Sequence, residues 1–143
     1  MTLTMEQYQQ KIKRWMKKSP KALKRALTQG ATEIIAHAQR SRLSGPKMSR
    51  GVSGGFYRST LKSQTNTLRR SLTKTIDVSS ARVLAQIGTN IKYAAIHEYG
   101  GQTGRNRSVT MPERPYLRPS VMERQSRVLE LIGDAFLGAY DDA

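Results

Sequence analysis

Ile87-Gly88-Thr89-Asn90-Ile91-Lys92-Tyr93-Ala94-Ala95-Ile96-His97-Glu98-Tyr99-Gly100-Gly101, the run IGTNIKYAAIHEYGG, changes backbone character as it proceeds. Gly88-Thr89-Asn90 ends an alternating apolar pattern, Tyr93 to Tyr99 reads as a short helix, and Gly100 or Gly101 closes it by adopting a left-handed conformation. A strand end, a helix and a glycine stop this close together belong to a mixed fold.

Upstream, Leu72, Ile76 and Val78 recur on even positions and Val83, Ala85 and Ile87 on odd ones, either side of a Ser79-Ser80 turn. Each run has the two-residue period of a half-buried strand, which predicts an antiparallel hairpin over about 70–89, with order resuming near Leu68. Downstream, GGQTGRNRSVTMPERP reads as a mobile glycine- and arginine-rich loop over 100–111, with a short strand at Ser108 to Met111. Pro112, Pro115 and Pro119 force an extended path, since proline fixes its own backbone angle and pushes the preceding residue out of helix. Ser120 with Glu123 fits a capping box, and predicts a helix over roughly 120–138. Its core stripe would hold Val121, Met122, Val128, Leu129, Ile132, Ala135, Phe136 and Tyr140.

Towards the N-terminus, Thr4 with Gln7 fits another capping box, opening a helix over 4–18 with Ile12, Trp15 and Met16 on one face. Ser19-Pro20 reads as a new helix start or a kink. Leu23, Leu27, Ala31, Ile34, Ile35 and Ala38 then continue at helical spacing to about Arg40. From Ser41 the sequence SRLSGPKMSRGVSGGFYRST holds five serines, four glycines and a proline around Phe56-Tyr57, with no periodic face. It is read as a flexible basic arm over 41–66, with the aromatic pair as an anchor for a neighbouring subunit. The expected organisation is one α+β domain over 1–143: basic N-terminal helices over 1–40, the arm, and an α+β core over 67–138. Helices lie on one side of a short, mainly antiparallel sheet.

Composition narrows the function. The 143 residues include no cysteine, which removes disulfides, thiolate metal sites and a cysteine nucleophile. No stretch approaches the roughly 18 apolar residues of a membrane span, and MTLTMEQYQQ lacks the apolar run of a secretory signal, so no membrane partner is expected and the cytoplasm is. The net charge of +15 is uneven. Lys11, Lys13, Arg14, Lys17, Lys18, Lys21, Lys24 and Arg25 fall in an interval without an acid, while Glu123, Glu130, Asp134, Asp141 and Asp142 make the C-terminal part acidic. Such asymmetry favours a polyanion or acidic partner for the first helix, or head-to-tail contact between subunits. Arg50, Arg58, Arg105 and Arg107 extend the set of basic contact candidates.

His97-Glu98 is the obvious place to look for chemistry. A zinc-protease helix needs a second histidine four residues on, and Gly101 stands there. His37, the other histidine, has no spacing that would join it to His97 around a metal. No serine lies in a nucleophile elbow and the glycines at 51, 54 and 55 form no phosphate loop. No enzyme activity, metal or cofactor is therefore expected. The alternative reading of His97 and Tyr99 is that they orient the glycine loop by hydrogen bonding.

Four pieces in order, TLRRSL at 67–72, IGTNIKYAAIHEYGG at 87–101, MPERPYLRPS at 111–120 and a terminal amphipathic helix, resemble the phage virion morphogenesis or tail-completion family. The resemblance covers about residues 65–138. It departs at Thr65-Asn66-Thr67-Leu68, where the family often has glycine after the threonine, and the first helix and the arm carry no matching motif. Carried over as motif residues are Leu68, Ser71, Gly88, Asn90, Tyr93, His97, Tyr99, Gly100, Gly101, Pro112, Arg114, Pro115, Tyr116 and Leu117. In that pattern TLRRSL is the approach to a strand, Arg114 is suited to bidentate contact with a carboxylate, and Tyr116 with Leu117 staples the extended segment to the core.

The resemblance implies a non-enzymatic structural protein of the phage tail or head–tail junction, present in the virion and assembled in the host cytoplasm. It implies a ring of identical subunits that meets connector or head-completion proteins on one side and tail terminator or tail tube proteins on the other. DNA in the channel is a candidate for sequence-independent contact. The alternative function is a free, non-specific nucleic-acid-binding protein.

Overall fold

The computed structural model describes residues 4–44, 66–79 and 82–143. It is α+β and mostly helical. In chain order come α1 (Met5–His37), a π-helical turn (Ala38–Arg42), α2 (Thr67–Ser71), β1 (Thr73–Val78), β2 (Val83–Gly88) and α3 (Ala94–Tyr99). β3 (Gly101–Thr103), a 3-10 turn (Arg105–Arg107), β4 (Val109–Met111) and α4 (Leu117–Asp141) complete it. β1 pairs with β2 and β3 with β4, forming two separate two-stranded sheets. Most of the arm expected over 41–66, with Arg50, Phe56, Tyr57 and Arg58, lies outside the described residues.

The chain packs as two compact units. The first comprises the residues up to Thr32, Lys74–Gln86 and Arg124–Ala143; the second comprises Glu33–Thr73 and Ile87–Glu123.

In the first unit α1 opens with the reciprocal box read from sequence. Thr4 N–H donates to Gln7 Oε1 at 3.0 Å and Gln7 N–H to Thr4 Oγ1 at 3.3 Å, which satisfies two donors that a helix start leaves open. Ser19-Pro20 neither starts a helix nor ends one, because α1 runs unbroken through Pro20. Proline has no N–H for the Met16 carbonyl, and the Ser19 hydroxyl donates to that oxygen at 3.4 Å instead. α1 and α4 run antiparallel: Trp15 meets Phe136 and Tyr140, while Gly30 lies against Val128. The Trp15 indole N–H donates to the Phe136 carbonyl at 3.3 Å. At Gly30 an added Cβ would stand 3.0 Å from Val128 Cγ2, so glycine sets the helix separation there.

The covered stripe of α4 differs from the sequence expectation. Val128, Ile132, Ala135, Phe136 and Tyr140 are at least half-buried as expected, joined by Leu131 and the buried Ala139. Val121, Met122 and Leu129 are exposed, as is Met16 on α1. Spacing finds an apolar stripe, but α4 carries more apolar residues than one packed face holds, so spacing alone cannot say which are covered.

The second unit holds a core of Ala38, Leu43, Leu68, Leu72, Ala94 and Tyr116, with Ile35, Ile91 and Leu117 packed against it. The π turn explains the presence of Leu43. Residues five apart on an α-helix face different directions, and the wider turn, closed by Leu43 N–H to Ala38 O at 3.0 Å, returns Leu43 to the side of Ala38. Thr67–Ser71 is a helical turn that leads through Leu72 directly into β1, as the strand approach expected of TLRRSL; it buries Leu68, and Gln39 Nε2 donates to the Arg69 carbonyl at 2.8 Å. β2 alternates as expected, with Val83, Ala85 and Ile87 on its less exposed side. Ser79 N–H to Arg82 O at 2.9 Å closes the antiparallel β1–β2 hairpin.

The segment read as a mobile loop over 100–111 is a second hairpin, with Gly101 opposite Met111 and Thr103 opposite Val109. The short strand expected over Ser108–Met111 is present as β4. Its partner has no apolar periodicity to reveal it.

Candidate functional site

The corner that joins α3 to α4 gathers most of the sequence motifs. The Ile91 carbonyl accepts from the Ala94 N–H at 3.0 Å and opens α3, and Thr89 Oγ1 accepts from the Ile91 N–H at 3.2 Å. Ser71 and Thr89 share a hydroxyl hydrogen bond of 2.5 Å, which ties this turn to α2. α3 then presents Glu98 inward, only 6% exposed.

The Glu98 carboxylate caps α4. Its Oε2 accepts from the N–H groups of Tyr116 at 2.9 Å and Leu117 at 3.0 Å, and its Oε1 accepts from the Arg118 N–H at 2.8 Å. A helix start leaves such donors open and carries a partial positive charge, so a buried carboxylate there gains from both. Sequence analysis missed this role and assigned capping to Ser120 with Glu123. That is corrected: α4 begins at Leu117, and Ser120 is wholly buried inside it, its hydroxyl donating to the Tyr116 carbonyl at 2.7 Å. A usable signal was present. Pro115-Tyr116-Leu117 opens a helix with no Ser, Thr, Asp or Asn at the cap position, so the cap has to come from elsewhere in the chain.

The glycine stop is set by geometry. Gly100 has φ +69°, and an added Cβ would lie 2.8 Å from the Glu113 backbone nitrogen and 3.0 Å from the Met111 carbonyl oxygen. Only glycine fits that approach. Beside it, Arg114 N–H donates to the His97 carbonyl at 2.7 Å. The two motifs, IHEYGG and MPERPYLRP, are thus stitched together twice, through the Glu98 side chain and the His97 backbone.

The His97 ring meets Tyr93 edge-on, with centroids 5.8 Å apart, and its Nδ1 is buried without a hydrogen-bond partner. Burial, with the Arg114 guanidinium nearby, lowers its pKa below the ordinary value of 6.5. Tyr99 is 71% exposed, with the Arg118 guanidinium 6.0 Å from its ring centre. Among the described residues neither the His97 nor the Tyr99 side chain hydrogen-bonds the glycine loop, and the Glu98 side chain bonds the start of α4 instead. Both Glu98 oxygens accept from backbone donors of the α4 start. Among the described residues no cluster of three or more His, Cys, Asp or Glu is placed to hold a metal ion.

The remaining motif residues lie in the same unit. Leu68 and Tyr116 are core, and burial, the Glu98 charge and Tyr99 push the Tyr116 hydroxyl up to about 12. Gly88 ends β2, while Asn90 and Pro112 are exposed. Arg114 makes no carboxylate contact among the described residues, and its Nε is buried without a partner. Arg105 and Arg107 are exposed at the tip of the β3–β4 hairpin. Sequence reasoning also missed a cluster around Glu123, which accepts from His37 Nε2 at 2.5 Å and from the Arg42 guanidinium. The hydrogen bond from His37, reinforced by Arg42, holds the Glu123 carboxyl below its usual range.

The basic helix face belongs to the other unit. It is partly occupied by the end of α4. Lys11 Nζ sits 4.3 Å from the Tyr140 ring centre, Arg14 donates to the Ala143 carbonyl at 3.4 Å, and Lys18 to the Asp142 carbonyl at 2.5 Å. Lys13, Lys17, Lys21, Lys24 and Arg25 are exposed. Among the described residues no helix is long and apolar enough to cross a membrane.

The chain is similar to the Mu-like prophage FluMu G protein 2 of Haemophilus influenzae, 46% identical over 52 residues, which is 36% of this chain and 37% of that protein's length. The match therefore spans well under half of the relative. No solved structure matches. The phage virion morphogenesis family matches over residues 5–136, nearly the whole chain, and so takes in the first helix that no sequence motif had placed. The protein belongs to the phage virion morphogenesis family.

Proposed function

We propose that the protein is a structural subunit of the phage tail or head–tail junction, acting in tail completion or head–tail joining as an oligomeric ring. The observation that carries this reading is the Glu98 corner: inside the stretch that resembles the family, the Glu98 carboxylate caps the start of α4 and joins the IHEYGG and MPERPYLRP segments. The lowered pKa of His97 and the Glu98 cap support a motif that sets shape rather than chemistry, and on this reading the subunit acts as a structural, non-enzymatic part. Exposed Met5, Tyr8, Met16, Leu129 and Leu137 add apolar surface of the kind that assembly covers. On this reading one side of the ring meets connector or head-completion proteins and the other meets tail terminator or tail tube proteins. DNA in the channel meets only sequence-independent basic groups, and the subunit resides in the virion after assembly in the host cytoplasm.

The test is electron microscopy of particles carrying a labelled subunit, with label expected at the neck or tail. Label confined to the head shell or absent from particles would refute the reading. The nucleic-acid-binding alternative predicts instead tight duplex binding by the isolated chain that weakens steeply with salt, with no label on particles.

A further inference from the structure

α4 carries two different surfaces within the first unit. One is an open groove of about 910 Å³ between α1 and α4, with Lys21, Ala22 and Arg25 on the α1 wall and Asp134, Ala135, Gly138 and Asp142 on the α4 side. The other is a row of Leu129, Gly133 and Leu137, where Leu129 is 60% and Leu137 66% exposed. At 3.6 residues per turn that row lies roughly 150° around α4 from the groove side. Exposed Glu130 and Asp141 run along it; Glu130 also pairs with Arg127 at 3.0 Å.

Two glycines mark these surfaces. Glycine inside a helix costs about 1 kcal/mol against alanine. Gly30 has an internal reason, the 3.0 Å approach of Val128. Gly133 and Gly138 have none, because an added Cβ would meet nothing within 4 Å at either. One lies in the exposed row and the other lines the groove. A second chain approaching closely at both places would account for them.

We infer that the Leu129–Gly133–Leu137 ridge of one copy seats in the α1–α4 groove of the next, with Glu130 and Asp141 facing Lys21 and Arg25. This rests on the ring reading and names its contact. The α1 wall of the groove is basic, while its α4 side sets small residues beside Asp134 and Asp142; the ridge is apolar with acids beside it, so a second copy seated with its acids towards the α1 wall matches in shape and charge. A nucleic acid would engage the lysines but leave the leucine row uncovered. Because the two surfaces differ, the contact is heterologous. A seated copy still offers its own groove, and the contact propagates until rotation closes it.

The chain has no cysteine, so disulfide trapping is clean. Leu137→Cys and Ala22→Cys variants are oxidised separately, mixed, and combined in one chain. Linked dimers are expected only in the mixture, and a ladder from the doubly substituted chain. Strong dimer from Leu137→Cys alone would mean a symmetric contact and overturn the proposal. In parallel, Lys21→Glu with Arg25→Glu should abolish the oligomer in sedimentation, and adding Glu130→Lys with Asp141→Lys should restore it. An oligomer left intact by Lys21→Glu with Arg25→Glu, with loss only of salt-sensitive duplex binding, would assign the groove to nucleic acid and overturn the proposal. If the unsubstituted chain oligomerises but the cysteine mixture gives no linked pair, this interface falls and the ring stands. If the unsubstituted chain is a monomer at every concentration, the ring reading falls as well.

Discussion

Replacing Glu98 with alanine should be among the most damaging single changes available in the second unit. The carboxylate accepts three N–H groups at 2.8–3.0 Å. Tyr116 is 3% exposed, so its N–H would lose its partner with no water to replace it, at about 1–3 kcal/mol. Leu117 and Arg118 lie nearer solvent, where losing a cap costs roughly 0.5–1 kcal/mol each. Losing a negative charge at a partly buried helix start adds on the order of 1 kcal/mol. Together these give about 3–6 kcal/mol, or a fall in Tm of about 10–20 °C for a chain of this length. Glu98→Gln keeps one acceptor oxygen and should lose about half as much. Far-UV circular dichroism during thermal and urea unfolding reads both. Glu113→Ala is the control: its ion pair with Arg118 is exposed on both sides, and should cost under about 0.5 kcal/mol. A Glu98→Ala protein within about 1 kcal/mol of the parent would refute the capping account.

Gly100→Ala should destabilise by about 2–3 kcal/mol in the same urea assay, since it adds a Cβ against fixed backbone at positive φ; an unchanged midpoint would remove the close approach from the account. His97 has a lowered pKa, so the unfolded chain binds more protons than the folded one once pH drops below the ordinary 6.5. Stability should therefore be full above that value and fall on acidification, and His97→Phe should flatten the dependence of the urea midpoint between about pH 7.5 and 5.5. Glu123 adds to the loss at lower pH, because its depressed carboxyl stabilises only while ionised. Pro20→Ala restores the N–H that Met16 lacks and should raise stability by about 1 kcal/mol. A lower Tm would mean that the proline ring packs better than its missing hydrogen bond costs.

Local signals were legible where partners are close in sequence. Thr4 and Gln7 form the expected box because three residues of spacing fix their geometry, and the β1–β2 hairpin follows from two alternating runs around one turn. The same box pattern misled at Ser120 and Glu123. There the helix had already begun under a cap eighteen residues upstream of Tyr116, and both side chains were free for other partners. β3 was missed because Gly101-Gln102-Thr103 offers no apolar alternation; its pairing is imposed by the turn at Gly100 and by β4. A new helix start at Ser19-Pro20 does not occur: proline weighs heavily in any local reading, while here the covered face on both sides of Pro20 outweighs one lost hydrogen bond. At the site, His97 drew attention as the reactive residue type. The buried acid beside it was the one with structural consequence, and its partners are distant in sequence.

The Glu98 cap also decides what this strongly cationic chain does not collect. An open helix N-terminus is a natural seat for phosphate, and on a protein of net charge +15 it would sit in a favourable field. By filling that seat with its own side chain, the α3–α4 corner leaves no open helix start there for an anion to occupy, and the point where α4 departs is fixed by a carboxylate of the chain itself.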